Sequence, residues 1–104
     1  MFKRISGREA QSAIESNPDL QIIDVRTEAE YLQYHIPNSI LIPMNEIPVS
    51  LHKLEKDRFY LIVCEHSVRS IHVCHFLVQN GLTNIVNIDG GMSEYPGPTV
   101  SGRP

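Results

Sequence analysis

The segment Phe59-Tyr-Leu-Ile-Val-Cys64 restricts the fold more than any other stretch of this chain. It is too short for a buried helix of ordinary length, and it lacks the polar alternation of a strand with one face in water. Such a run marks a strand in a parallel sheet covered on both faces. After the cysteine the period changes. From Val68 to Asn80, Ile71, Cys74, Leu77 and Val78 fall at helical spacing, and Gly81 stands where a left-handed cap would end the helix. A strand passing into a helix through a few residues is the basic step of an α/β fold.

The rest of the chain repeats that step. Ser6-Gly-Arg-Glu9 has the spacing of a capping box and predicts a helix over Gly7 to Ser16, with Ala10, Ala13 and Ile14 inward and Asn17-Pro18 as its stop. Leu20 to Val25 reads as a short buried strand, and Thr27-Glu-Ala-Glu30 is a second capping box opening another helix. Ser39 to Ile42, between Pro37-Asn38 and Pro43, is a strand of a few residues, and Asn45 is expected to cap a short helix through Leu54. Asn84 to Ile88 supplies the last strand, Asp89-Gly-Gly91 ends the sheet, and a short helix holds Met92 to Tyr95. The order predicts an open parallel sheet with helices on both faces, a domain over residues 1–96 and an irregular tail over 97–104. There is no internal repeat.

A chain of 104 residues with 41% hydrophobic content suits one compact domain. Its formal net charge of -3 gives no general attraction to nucleic acid or to anionic membranes, so an anionic ligand would need a local site. No stretch nears the roughly 20 apolar residues of a membrane span, and Met1 to Ser6 lacks the apolar segment of a secretory signal. With only two cysteines, Cys64 and Cys74, the chain fits a reducing compartment, and a cytoplasmic location is expected.

Cys64 stands at the carboxyl end of a strand and just before a helix, where open α/β sheets bind their ligands. Glu65, His66, Ser67, Val68 and Arg69 can curl with successive amides inward as a nest, reinforced by the positive end of the following helix dipole. Both favour a thiolate over a thiol and would stabilise a persulfide anion. Spacing alone also allows a buried, inert cysteine. His66 is a candidate general base or acceptor contact, although its side chain is expected to point away from the nest. His72, Cys74 and His75 lack a closed four-ligand pattern, so no metal is expected. Cys74 reads as core, with a resolving cysteine for oxidised Cys64 as its alternative, and His35 as a structural histidine.

Three segments, in order, resemble the signatures of the rhodanese-like domains: Asp24-Val-Arg26 with Glu30-Tyr31 and His35-Ile-Pro37, then Cys64 to Arg69-Ser70, then Asn87-Ile-Asp-Gly-Gly91-Met92. The resemblance covers about Ile22 to Gly91. It implies an α/β fold with a rhodanese-like open parallel sheet of about five strands. It also implies a sulfurtransferase in which Cys64 takes a sulfane sulfur from a donor such as thiosulfate, holds it as a persulfide and passes it to a thiol or cyanide. The implied partners are a small sulfur donor and a thiol or protein acceptor, with no cofactor, nucleic acid or membrane. Arg69 would hold the loop or an anionic substrate, and Asp24 with Arg26 would form a supporting ion pair.

The chain departs from the family pattern at Ser67, where glycine is common, at Tyr34 and Asn38, where glycines flank the His-Ile-Pro segment, and at Tyr95, where tryptophan is common. The charges of Glu65 and Arg69 cancel, so any preference for anions rests on the amides. The runner-up is a non-catalytic rhodanese-fold module for protein binding or regulation, a use open to any fold, though such modules typically lack the cysteine. The Cys-x4-Arg spacing is one residue shorter than the Cys-x5-Arg of related phosphatases, which argues against phosphate or arsenate chemistry.

Overall fold

Strand and helix alternate along the chain in a computed structural model that describes residues 1–103. The elements are β1 (Lys3–Ile5), α1 (Gly7–Ser16), β2 (Gln21–Asp24), α2 (Glu28–Gln33) and β3 (Ile40–Leu41). They continue with α3 (Ile47–Ser50), β4 (Tyr60–Val63), α4 (Val68–Gln79), β5 (Ile85–Ile88) and α5 (Gly91–Glu94). The five strands are parallel in the order β1-β5-β4-β2-β3, which puts the apolar run at the centre. Ile62 of β4 is level with Ile23 of β2 on one side and Asn87 of β5 on the other.

Both capping boxes close as their spacing predicts. Ser6 Oγ accepts from the Glu9 amide at 3.1 Å while Glu9 accepts from the Ser6 amide at 2.9 Å. Thr27 and Glu30 repeat the exchange at 3.3 and 3.0 Å. Two local expectations fail, and one strand carried no expectation. The fifth strand, β1, was hidden because Lys3 and Arg4 are exposed; it is an edge strand of the charged kind that resists pairing with another chain. Asn45 is no cap: the chain enters a 3₁₀ turn at Met44–Glu46, because Pro43 holds the extended entry and the Met44 amide is taken by Val25 O at 3.0 Å. On α4 the buried stripe is Ser70, Val73, Cys74 and Leu77, leaving Ile71 and Val78 half-buried at its rim.

Period-two alternation divides the strands between two cores. Ile23, Tyr60, Ile62, Cys64 and Ile85 face α3 and α4, together with Ile47, Val73, Cys74 and Leu77. Ile22, Leu61, Val63, Val86 and Ile88 face the other way and meet Ala10 of α1 and Met92 of α5. Beyond α5 the described residues form no further helix or paired strand segment, but Val100 exchanges two backbone bonds with His35 at 2.8 and 2.9 Å. Pro104 lies outside the described residues. Among the described residues no helix is long and apolar enough to cross a membrane.

Leu77 is fully buried under α4, on the same face as Cys64. Leu77→Ala is expected to lower the unfolding free energy by about 2–5 kcal/mol in urea titration, the cost of lost burial plus a cavity.

Candidate active site

The parity that buries Tyr60 and Ile62 carries on to Cys64 and turns its side chain toward the start of α4. Its Sγ accepts from the Ser70 amide at 3.2 Å, and the thiol donates to Ser70 Oγ at 3.3 Å. Ser70 in turn donates to Ser67 O at 3.2 Å. The first turn of α4 therefore grips the sulfur through both its backbone and a side chain.

The loop from Glu65 to Arg69 is shaped from the far side by α5. The Met92 amide donates to Cys64 O at 2.8 Å and the Ser93 amide to Glu65 O at 3.1 Å. Because a trans peptide directs its C=O and N–H oppositely, fixing these two carbonyls toward α5 turns the amides of Glu65 and His66 away from it. Among the described residues, no amide from Glu65 to Arg69 donates to a protein acceptor. A run of uncommitted amides beside a sulfur is an anion cradle. The close approach requires Gly91: with φ +60°, a Cβ there would lie 2.4 Å from Cys64 O and 2.5 Å from Glu65 O.

Ser67 carries the turn into α4 with φ +76°, the left-handed conformation that favours glycine. Its hydroxyl donates to Ile88 O at 3.2 Å, so the loop is also tied to the end of β5, offsetting part of the backbone cost of roughly 1–2 kcal/mol. Asn38 likewise takes φ +68°. Tyr34 is extended and needs no glycine.

Three ion pairs, made by two arginines, flank the loop. Arg26 is 1% exposed, binds Asp24 at 2.8 Å and Glu65 at 3.2 Å, and donates to Tyr34 O at 2.7 Å. The Tyr34 ring lies under the guanidinium at 5.2 Å, and its hydroxyl donates to Glu65 at 3.1 Å. Burial alone would lower the Arg26 pKa, but the Asp24 and Glu65 carboxylates hold it above its ordinary value. Arg69, which the charge count set against Glu65, instead makes a two-pronged pair with Glu30 of α2 at 2.6 and 2.9 Å. The hydrogen bonds from Arg69, helped by the Thr27 amide, pull the Glu30 carboxyl down from 4.5 to about 2.

The remaining candidates sit apart from the sulfur. His66 is exposed and makes no hydrogen bond among the described residues, and Val68 is 67% exposed. Cys74 is buried in the core, and that burial pushes its thiol up to about 12, so it stays protonated near neutrality. His35 stacks on Tyr31 at 3.7 Å and bonds Tyr31 O through Nδ1. No group of three or more His, Cys, Asp or Glu side chains among the described residues is placed to hold a metal.

The chain is thus a five-stranded parallel α/β domain with a cysteine gripped where its central strand meets a helix. The family model described as "Rhodanese-like domain" matches residues 6–96, and the chain belongs to that family. A "Sulfurtransferase" of Allochromatium vinosum is 32% identical over 92 residues, 88% of this chain and 86% of its own length. The "Thiosulfate sulfurtransferase GlpE" of Pseudomonas savastanoi is 31% identical over 105 aligned positions, 97% of each chain. The crystal structure of a rhodanese-like domain protein from Staphylococcus aureus superposes with a TM-score of 0.84 at 40% identity, covering 89% of this chain and 90% of that one. These relatives place the chain in a sulfurtransferase family.

Four contributors escaped the sequence reading: Glu30 as the partner of Arg69, Tyr34 as a clamp on Glu65, Ser70 as a donor to sulfur, and Gly91 as the seat of the loop carbonyls. Only Gly91 had a local signal, the Gly-Gly pair. Gly91→Ala is expected to cost about 2–5 kcal/mol, combining the left-handed penalty with overpacking against backbone, measured by chemical denaturation. The Glu30 pair sets an acid limit. Its contribution is complete above the ordinary carboxyl value of 4.5 and is lost as pH falls toward 2, because the unfolded chain takes up the proton first. Glu30→Gln should therefore flatten the acid limb of the stability profile between those values; an unchanged slope would refute the assignment.

Proposed function

We propose that this protein is a rhodanese-type sulfurtransferase that carries a sulfane sulfur as a persulfide on Cys64. The observation that carries the reading is the gripped Sγ of Cys64 next to the uncommitted amides of Glu65 to Arg69. In the first half-reaction the Cys64 thiolate attacks the outer sulfur of a donor. The donor's S–S bond breaks, its electron pair leaves on the remaining fragment, and a Cys64 S–S bond forms. The terminal sulfur carries a negative charge, which the amides and the helix dipole can stabilise. In the second half a thiol or cyanide attacks that terminal sulfur and restores the Cys64 thiolate. Asp24 and Arg26 support the loop through Glu65, and Arg69 supports it through Glu30. The chemistry calls for no metal or cofactor.

A sulfur donor and a thiol or protein acceptor are the partners under this reading, and a cytoplasmic site of action suits a free thiol. One observation favours the runner-up, a non-catalytic binding module: Cys64 is only 1% exposed. The two are separated by incubating the protein with thiosulfate, and separately with an organic persulfide, then weighing it intact. Wild type is expected to gain one sulfur atom with at least one donor and to return it on addition of cyanide, whereas Cys64→Ser gains none. A chain that stays unmodified with every donor would be the binding module.

A further inference from the structure

Every arginine at the site is already committed. Arg26 is buried between Asp24 and Glu65, and Arg69 is held by both oxygens of Glu30. Set against these two guanidiniums are three carboxylates, so the charged groups around the cradle sum to one net negative charge. The attractive potential for an anion is then limited to the loop amides and the helix terminus. That is enough for one sulfur anion formed on Cys64, whose sulfur is in contact with them. It is poorly suited to a free dianion arriving beside a thiolate, since the two bring three negative charges together while both arginines of the loop region are already paired.

A second feature points the same way. Beside the loop lies a cavity of about 230 Å³ lined by Val25, Pro43 and Met44 together with Arg26, Thr27, Asn45 and Arg69. The side chains of Val25, Pro43 and Met44 give this mixed cavity apolar surface that can pack against the carbon chain of an organic donor and gains nothing from thiosulfate, which is polar throughout.

We propose that Glu30 and Glu65 are specificity-determining residues that direct this site toward organic sulfur donors of low charge, such as persulfides of thiols, and away from the thiosulfate dianion. The proposal rests on the sulfurtransferase reading and refines its donor. Glu30 acts by withholding the charge of Arg69. Glu65 acts by its own charge within the loop, since its partner Arg26 is already balanced by Asp24. The transfer itself is unchanged. The thiolate of Cys64 takes the outer sulfur, and the donor leaves as a thiolate, or as sulfite when the donor is thiosulfate.

Two donors that differ by one charge on the same sulfonyl sulfur test this: thiosulfate and methanethiosulfonate, which leaves as methanesulfinate. The kcat/KM ratio of methanethiosulfonate to thiosulfate is measured for wild type, Glu30→Gln and Glu65→Gln. Comparing ratios between variants cancels the donors' intrinsic reactivities. Each variant should lower the ratio by about 3- to 10-fold through a gain with thiosulfate, as expected for one unit charge at a partly screened distance. Methanethiosulfonate should change much less, which a merely damaged loop would not allow. Added salt should raise kcat/KM for thiosulfate in wild type by screening the repulsion. Unchanged ratios, or thiosulfate turnover that falls with salt, would overturn the donor assignment while leaving the sulfurtransferase intact. Failure of either donor to load Cys64 would overturn both.

Discussion

Two backbone hydrogen bonds, from the amides of Met92 and Ser93 to the carbonyls of Cys64 and Glu65, set the shape on which the site depends. Peptide planarity converts them into a statement about the opposite side of the loop, where the amides of Glu65 and His66 must face away from α5. Those bonds exist only because Gly91 lets α5 approach to within a distance no side chain allows. The last short helix of the domain is therefore part of the loop that follows the central strand. The parallel sheet brings the ends of β4 and β5 side by side, which is what makes the contact possible.

A second set of interactions holds the loop from the other flank. Burying Arg26 carries a desolvation cost that Asp24, Glu65 and the Tyr34 carbonyl offset together. The result is a fixed position for Glu65, the residue after Cys64. Arg69 and Glu30 fasten the start of α4 to α2 in the same manner. The loop thus gains its rigidity by consuming its cations, which leaves the backbone amides as its means of holding negative charge.

Much of this was legible in the sequence because the signals are local. Both capping boxes are spaced within one turn, and the apolar run of β4 declared a doubly covered strand. The parity of Tyr60, Ile62 and Cys64 also lies in the chain itself, and so do the left-handed positions, since Ser67 and Asn38 stand where the family uses glycine. What stayed hidden depends on residues far apart in the chain. Glu30 was read as the capping residue it is, but its second oxygen-bonded partner lies 39 positions away. Ser70 entered only as the end of the Cys64 to Ser70 signature, and its place on the buried face of α4 and its bond to Cys64 depend on the folded loop. The edge strand β1 shows the converse: two exposed basic residues erased the apolar pattern, while register with Val86 and Asn87 made the strand.

The central claim is that the amides of Glu65 to Arg69 hold the sulfur that Cys64 carries, and amide proton shifts on sulfur loading test it most directly. In ¹H–¹⁵N spectra of the reduced and the loaded protein, the account predicts downfield shifts concentrated at Glu65 to Arg69, with the already bonded amides of Met92 and Ser93 nearly unmoved. Loop amides that keep their shifts when the sulfur is present would contradict it.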